Sequence, residues 1–158
     1  MINSSKKILN FDWVCVDKLA VGHAPNKDGH FEFLKLNKIK YILSLCNDDE
    51  NKIPDQYKKH FSLHKCVLKD HYSKKDPKVE EYEKAIKLLR ELTNQGIVYV
   101  HCLAGIERSP LTCIGWLIIE KNLKADEAYD YLKEIHPMTN PLLSHFEILK
   151  KACQNINK

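Results

Sequence analysis

The sequence predicts an α/β fold, a sheet with helices packed on its faces. Five short apolar runs, each of strand length, occupy the first two thirds of the chain, helix-patterned segments lie between them, and the pattern is helical from residue 108 onward. A length of 158 residues, 44% of them hydrophobic, gives one domain with a sizeable core. The expectation is therefore a single domain over 1–158, ordered from about 7 to 154, with loose tails of about six and four residues.

Taken in order, WVCV (13–16) and LAVG (19–22) read as the first two strands. Asp28 is placed to cap a short helix through FEFLKLNK, and IKYILSLC (39–46) and FSLHKCVL (61–68) are the next two strands. Asp76-Pro77 reads as an N-cap followed by proline at the first helical position, opening VEEYEKAIKLLRELTNQ before Gly96 stops it. GIVYVHC (96–102) is the fifth strand. Three helices follow: PLTCIGWLIIEKN, then ADEAYDYLKEIH ended by Pro137, then LLSHFEILKKAC.

Several function classes are set aside. A net charge of +4 with 21 acidic residues interspersed is a mildly basic surface, so no nucleic-acid partner is expected. No run of 18 apolar residues exists, so no stable membrane insertion is expected, and MINSSKKILNFDW lacks the apolar stretch of a secretory signal. The six cysteines, at 15, 46, 66, 102, 113 and 153, form no C-x-x-C pair, which argues against a zinc site and against a disulfide framework. The expectation is a cytoplasmic monomer with no metal and no cofactor.

The chemistry concentrates in VYVHCLAGIERSPLTCIGWL (99–118). A strand ends at Cys102, a five-residue turn containing Gly105 follows, and a helix begins near Ser109. Open α/β sheets bind ligands at this junction, where free backbone N–H groups and the helix dipole favour anions. The amides of Leu103, Ala104, Gly105, Ile106, Glu107 and Arg108 can curl into an anion-binding nest. A cysteine there is expected to titrate low, since comparable settings bring it from about 8.5 to roughly 3.5–7.5. Of 25 basic residues other than histidine only two are arginine, Arg90 and Arg108. A planar guanidinium holds two phosphate oxygens at once, which an ammonium cannot do, and this is the reason for arginine at 108.

HCLAGIERS resembles the H-C-x5-R-S/T loop of the cysteine-dependent protein tyrosine phosphatases, and the short chain with AG in the loop resembles their dual-specificity branch. The likeness runs from about FDWVCVDKLAVG to the final helices. It implies a central, mostly parallel sheet of about five strands flanked by helices, no metal, and a cysteinyl-phosphate intermediate formed on Cys102. It also implies a general acid some thirty residues upstream, and Asp70, 32 positions before Cys102 in VLKDHYSKKDP, fills that place, leaving Asp76 as the helix cap. Ser109 would donate a hydrogen bond to the sulfur, and His101, on the opposite strand face, would support the loop.

Glu107 stands where the family usually has Gly or Ser and is expected to put a negative charge at the rim of the anion pocket, against highly charged ligands. Asp70-His71, conversely, resembles the acid-loop pair of the phosphoinositide branch. Lys74, Lys75 and Lys78 read as a solvated face. Some relatives place at the position of Cys46 a thiol that forms a reversible disulfide with the nucleophile. Cys15, Cys66, Cys113 and Cys153 read as core, and His23, His30, His60, His64, His136 and His145 show no ligand spacing.

The expected partner is a phosphorylated protein or another phosphomonoester, with phosphotyrosine first and phosphoserine or phosphothreonine second. The alternatives are a phosphoinositide or other non-protein phosphatase of the same fold, a rhodanese-like sulfurtransferase or arsenate reductase, and a non-catalytic phospho-binding module.

Overall fold

The structure, a computed structural model, describes residues 9–70 and 72–158. In chain order the elements are β1 (Phe11–Cys15), β2 (Leu19–His23), α1 (Asp28–Leu36), β3 (Tyr41–Ser44), β4 (Ser62–Lys65), α2 (Val79–Thr93), β5 (Val98–Cys102), α3 (Arg108–Glu120), α4 (Ala125–Ile135) and α5 (Leu143–Ile156). The strands form one sheet in the order β1-β2-β5-β3-β4; β1 runs antiparallel to β2 and every other pairing is parallel.

Alternation along each strand sorts the core into two layers. In β5, Val98, Val100 and Cys102 face the layer under α2, α3, α4 and α5, while Tyr99 faces the smaller layer under α1. His101 shares the Tyr99 face, and the two rings stack with centroids 6.0 Å apart. Helix α3 is buried from Arg108 through Leu117, as a helix apolar on all sides must be, and the indole of Trp116 donates to Thr93 Oγ1 at 3.1 Å. Placing β5 in the centre of a mostly parallel sheet puts its carboxyl end, and the start of α3, at the position where such sheets bind ligands.

All five expected strands form, but the ladder is shorter than the apolar runs: β3 ends at Ser44 and β4 at Lys65, with Leu45, Cys46, Cys66 and Leu68 continuing as buried, irregular backbone. Two cap assignments are corrected. Lys27 is the N-cap of α1, and the Asp28 carboxylate instead accepts from Gln56 Nε2 at 2.8 Å. Lys78 is the N-cap of α2, its amide donating to Glu81 at 3.0 Å, so the helix starts after Pro77 and Asp76 does not cap it. Helix α5 continues to Ile156, past the expected end at Cys153. The N-terminal tail expected to be loose and His71 lie outside the described residues. Among the described residues no helix is long and apolar enough to cross a membrane.

Candidate active site

The loop from Leu103 to Glu107 joins β5 to α3. Gly105 sits at φ +74, and a Cβ there would lie 2.8 Å from the carbonyl carbon of Gly22, so glycine is required both by conformation and by the close approach of β2. Ala24 donates its amide to the Leu103 carbonyl at 3.1 Å, fixing the start of the loop. Among the described residues no amide from Leu103 through Glu107 donates to another backbone carbonyl, which leaves these groups for an anion.

Cys102 is buried at the mouth of this loop, its Sγ 3.2 Å from Ser109 Oγ. The same hydroxyl lies 3.4 Å from the Gly22 carbonyl. Arg108 is buried as well, and here the sequence reading is incomplete. Nη1 and Nη2 donate to the two oxygens of Glu50 at 3.0 and 2.8 Å, and Nη1 also approaches the carbonyls of Leu68 at 3.2 Å and Leu45 at 3.5 Å. One edge of the guanidinium is thus held by the protein, and the Nε–Nη2 edge is the one left for two phosphate oxygens. Burial alone would favour neutral arginine, but the Glu50 hydrogen bond and charge outweigh it and hold Arg108 above its ordinary range. For Glu50, burial pushes the carboxyl up, and hydrogen bonds from Arg108 and the Asn47 amide, with the Arg108 charge, bring it below the usual value. No spacing in the sequence pointed to Glu50, which lies 58 positions from its partner.

Asp70 lines one cavity of about 90 Å³ with Cys102 and Arg108, and its Oδ1 accepts the amide of Tyr72 at 3.0 Å. The cavity is far below the roughly 300–1,000 Å³ of ordinary small-molecule sites, so it suits a phosphoryl group with the rest of the substrate outside. The exposed side chains of Tyr72, Leu103 and Ile106 form its rim. A larger hollow of about 530 Å³ beside β3 and β4, lined by Asp48, Lys52, Lys58 and Lys65, contains none of these groups.

Glu107 lines the cavity, but its side chain does not present a charge at the rim. It is buried, and its carboxylate accepts from the Leu142 amide at 2.8 Å and contacts His145 Nδ1 at 2.9 Å, so the expected negative charge at the pocket mouth is turned into the protein. His145 Nε2 in turn lies 3.3 Å from Asp76 Oδ1. A second buried histidine, His136, bridges Asp12 at 2.7 Å and the Gly105 carbonyl at 2.6 Å. Between them the Asn140 amide donates to the Ile106 carbonyl at 2.9 Å, so the segment from 136 to 145 straps residues 105–107 from outside. Sequence reading missed this strap, since its partners are 31 to 38 residues apart.

His101 Nδ1 lies 3.2 Å from the Cys102 carbonyl, and burial lowers its pKa to about 4, so it is a neutral ring. Cys46 is fully buried just beyond β3, the strand beside β5, and burial pushes its thiol up to about 12 against the opposing Arg108 charge. Cys66, Cys113 and Cys153 are buried and Cys15 partly so, and Lys74, Lys75 and Lys78 are exposed.

A family model for the dual specificity phosphatase catalytic domain matches residues 22–155. Dual specificity protein phosphatase 1-A of Xenopus laevis is 31% identical over 104 residues, 65% of this chain and 27% of that protein. The chain thus spans about a quarter of the length of the first curated relatives it matches. Among solved structures, Tk-PTP in its active form superposes with a TM-score of 0.79 at 18% identity, over 92% of this chain and 97% of the other. PTPMT1 in complex with PI(5)P gives 0.75 at 19% identity, over 89% and 92%. At these identities the likeness to the solved structures concerns the fold.

Proposed function

The chain belongs to the dual specificity phosphatase family, and from that premise we propose that it hydrolyses phosphate monoesters, phosphotyrosine first and phosphoserine or phosphothreonine of proteins second, through a cysteinyl-phosphate. The observation that carries the reading is the convergence of Cys102, the loop amides, one edge of Arg108 and Asp70 on a single cavity of phosphoryl size. In the first step the Cys102 thiolate attacks phosphorus; the S–P bond forms, the P–O bond to the substrate breaks, and the leaving oxygen takes the proton of Asp70. In the second, water attacks phosphorus and gives a proton to the Asp70 carboxylate. The S–P bond then breaks, and the Ser109 hydroxyl stabilises the departing thiolate. The loop amides and Arg108 meet the charge of the transition state, the main source of catalysis in phosphoryl transfer.

The reaction as drawn uses groups of this chain alone, acting as a monomer in a reducing compartment. A second reading, a phosphoinositide substrate, is favoured by one observation: the Glu107 carboxylate faces the strap, so it no longer opposes a multiply charged ligand. A panel of phosphorylated peptides and phosphoinositides, assayed with metal chelated, separates the two. Cys102→Ser should abolish turnover on whichever is accepted while still binding inorganic phosphate, because the amides and Arg108 remain. Activity retained in that variant would refute the covalent mechanism.

A further inference from the structure

We propose that His145 is a positioning residue that couples the loop carrying the acid to the phosphate-binding loop, through Asp76 on one side and Glu107 on the other; the proposal rests on the phosphatase reading with Asp70 as acid. The acid-bearing segment leaves β4 and is pinned at its start, where the Leu68 amide donates to the Leu45 carbonyl at 3.1 Å and the Leu68 carbonyl accepts from Arg108 at 3.2 Å. Asp70 then folds back on its own segment, accepting the amides of Tyr72 and Ser73 at 3.0 and 3.1 Å. The far end is met at Asp76, 3.3 Å from His145 Nε2.

His145 is buried at the first turn of α5, and its other nitrogen contacts the buried Glu107 carboxylate at 2.9 Å. Both ring nitrogens face carboxylate oxygens, Nδ1 toward Glu107 and Nε2 toward Asp76, so one ring bridges the two acids. Glu107 immediately precedes Arg108, so the ring joins the acid segment to the residue beside the guanidinium. A rigid, buried imidazole between two loops sets their separation; Cys102 sits with the phosphate loop and Asp70 on the other segment, so proton delivery is the step that depends on that separation. The Glu at 107 then has a purpose that the sequence did not disclose: it is the phosphate loop's half of the link.

The test uses Asp76→Ala, an exposed position that should not disturb folding, together with His145→Asn, whose amide can replace Nδ1 at Glu107 but cannot reach Asp76. Rates are compared on phenyl phosphate, whose phenolate leaves poorly, and on dinitrophenyl phosphate, whose leaving group needs no proton, with Asp70→Asn as reference. Both variants should lose about tenfold or more on phenyl phosphate and stay within about threefold on the activated ester, in the direction of Asp70→Asn. Asp76→Asn, which keeps the acceptor oxygen, should restore the wild-type ratio. Hydrogen exchange over residues 69–78 reads the link without turnover and should quicken in Asp76→Ala and His145→Asn. Equal losses on both esters, or unchanged rates with unchanged exchange, would overturn the coupling. If the wild type hydrolyses neither ester, the phosphatase reading falls, and the exchange measurement alone decides the link.

Discussion

Arg108 has two bidentate edges, and Glu50 takes Nη1–Nη2. A lysine at 108 would face Glu50 with the same charge but could not serve two oxygen pairs on two different edges. Arg108→Lys should therefore lose roughly 10²–10³-fold in kcat, the scale of a lost transition-state donor. A variant within tenfold of wild type would mean that charge alone suffices. Glu50→Gln keeps the shape of the clamp and removes its charge, leaving a buried guanidinium half-paired. A charge-assisted hydrogen bond contributes about 1.5–3 kcal/mol, so kcat/KM should fall by about ten- to a hundredfold, with weaker inhibition by vanadate reporting the same disorder. Unchanged vanadate affinity would show that Arg108 keeps its orientation without Glu50.

At the scale of elements, what the sequence disclosed was local and what it concealed was not. The short apolar runs IKYILSLC and VYVHC and the strand–turn–helix around Cys102 are short-range signals, and each led to the observed element. Asp76-Pro77 carried an equally clear local cap signal, yet Asp76 serves His145 on a distant helix, because a tertiary contact outweighed a local preference. Glu50 and the 136–145 strap had no signal at all. A pairing across 58 residues leaves no spacing to recognise. The adjacency of β3 and β5 brings Cys46 toward Cys102, whose charge adds to burial in raising the Cys46 thiol. Peroxide should convert Cys102 to a sulfenic acid, with water released, and the Cys46 thiolate should then attack that sulfur and expel hydroxide, which leaves as water with the proton Cys46 gave up, to form the 46–102 disulfide. Burial holds Cys46 near 12, so the bridging step should quicken about tenfold per pH unit between 7 and 9, followed by mass spectrometry. A pH-independent step, or a lasting sulfenic acid with no bridge, would return Cys46 to a purely packing role.

At the scale of the whole molecule, the central strand makes the stability of the fold depend on pH through His101. The ring is fully buried between strand neighbours, beside Tyr99, so the surrounding sheet must open before it can be hydrated. Burial lowers its folded value to about 4 from an ordinary 6.5, while the unfolded chain keeps the ordinary value. Between those values the unfolded state binds the extra proton, so stability is full above about 6.5 and is lost as pH falls toward 4. The loss totals on the order of 3 kcal/mol for this one group. Glu50 acts in a lower window, since its folded value is depressed and its contribution disappears only as pH falls below the ordinary carboxylate range. Denaturant unfolding of the wild type at pH values from 7.5 to 4.5 should show the slope. His101→Asn, whose amide can reproduce the Nδ1 contact with the Cys102 carbonyl, should lower the whole curve by the cavity it leaves and flatten it across that window. The difference in slope isolates His101 from the seven other histidines, which both proteins share. Parallel curves would mean that the buried ring takes up its proton as easily in the folded sheet as in the unfolded chain, and that the sheet, not the ring, adjusts.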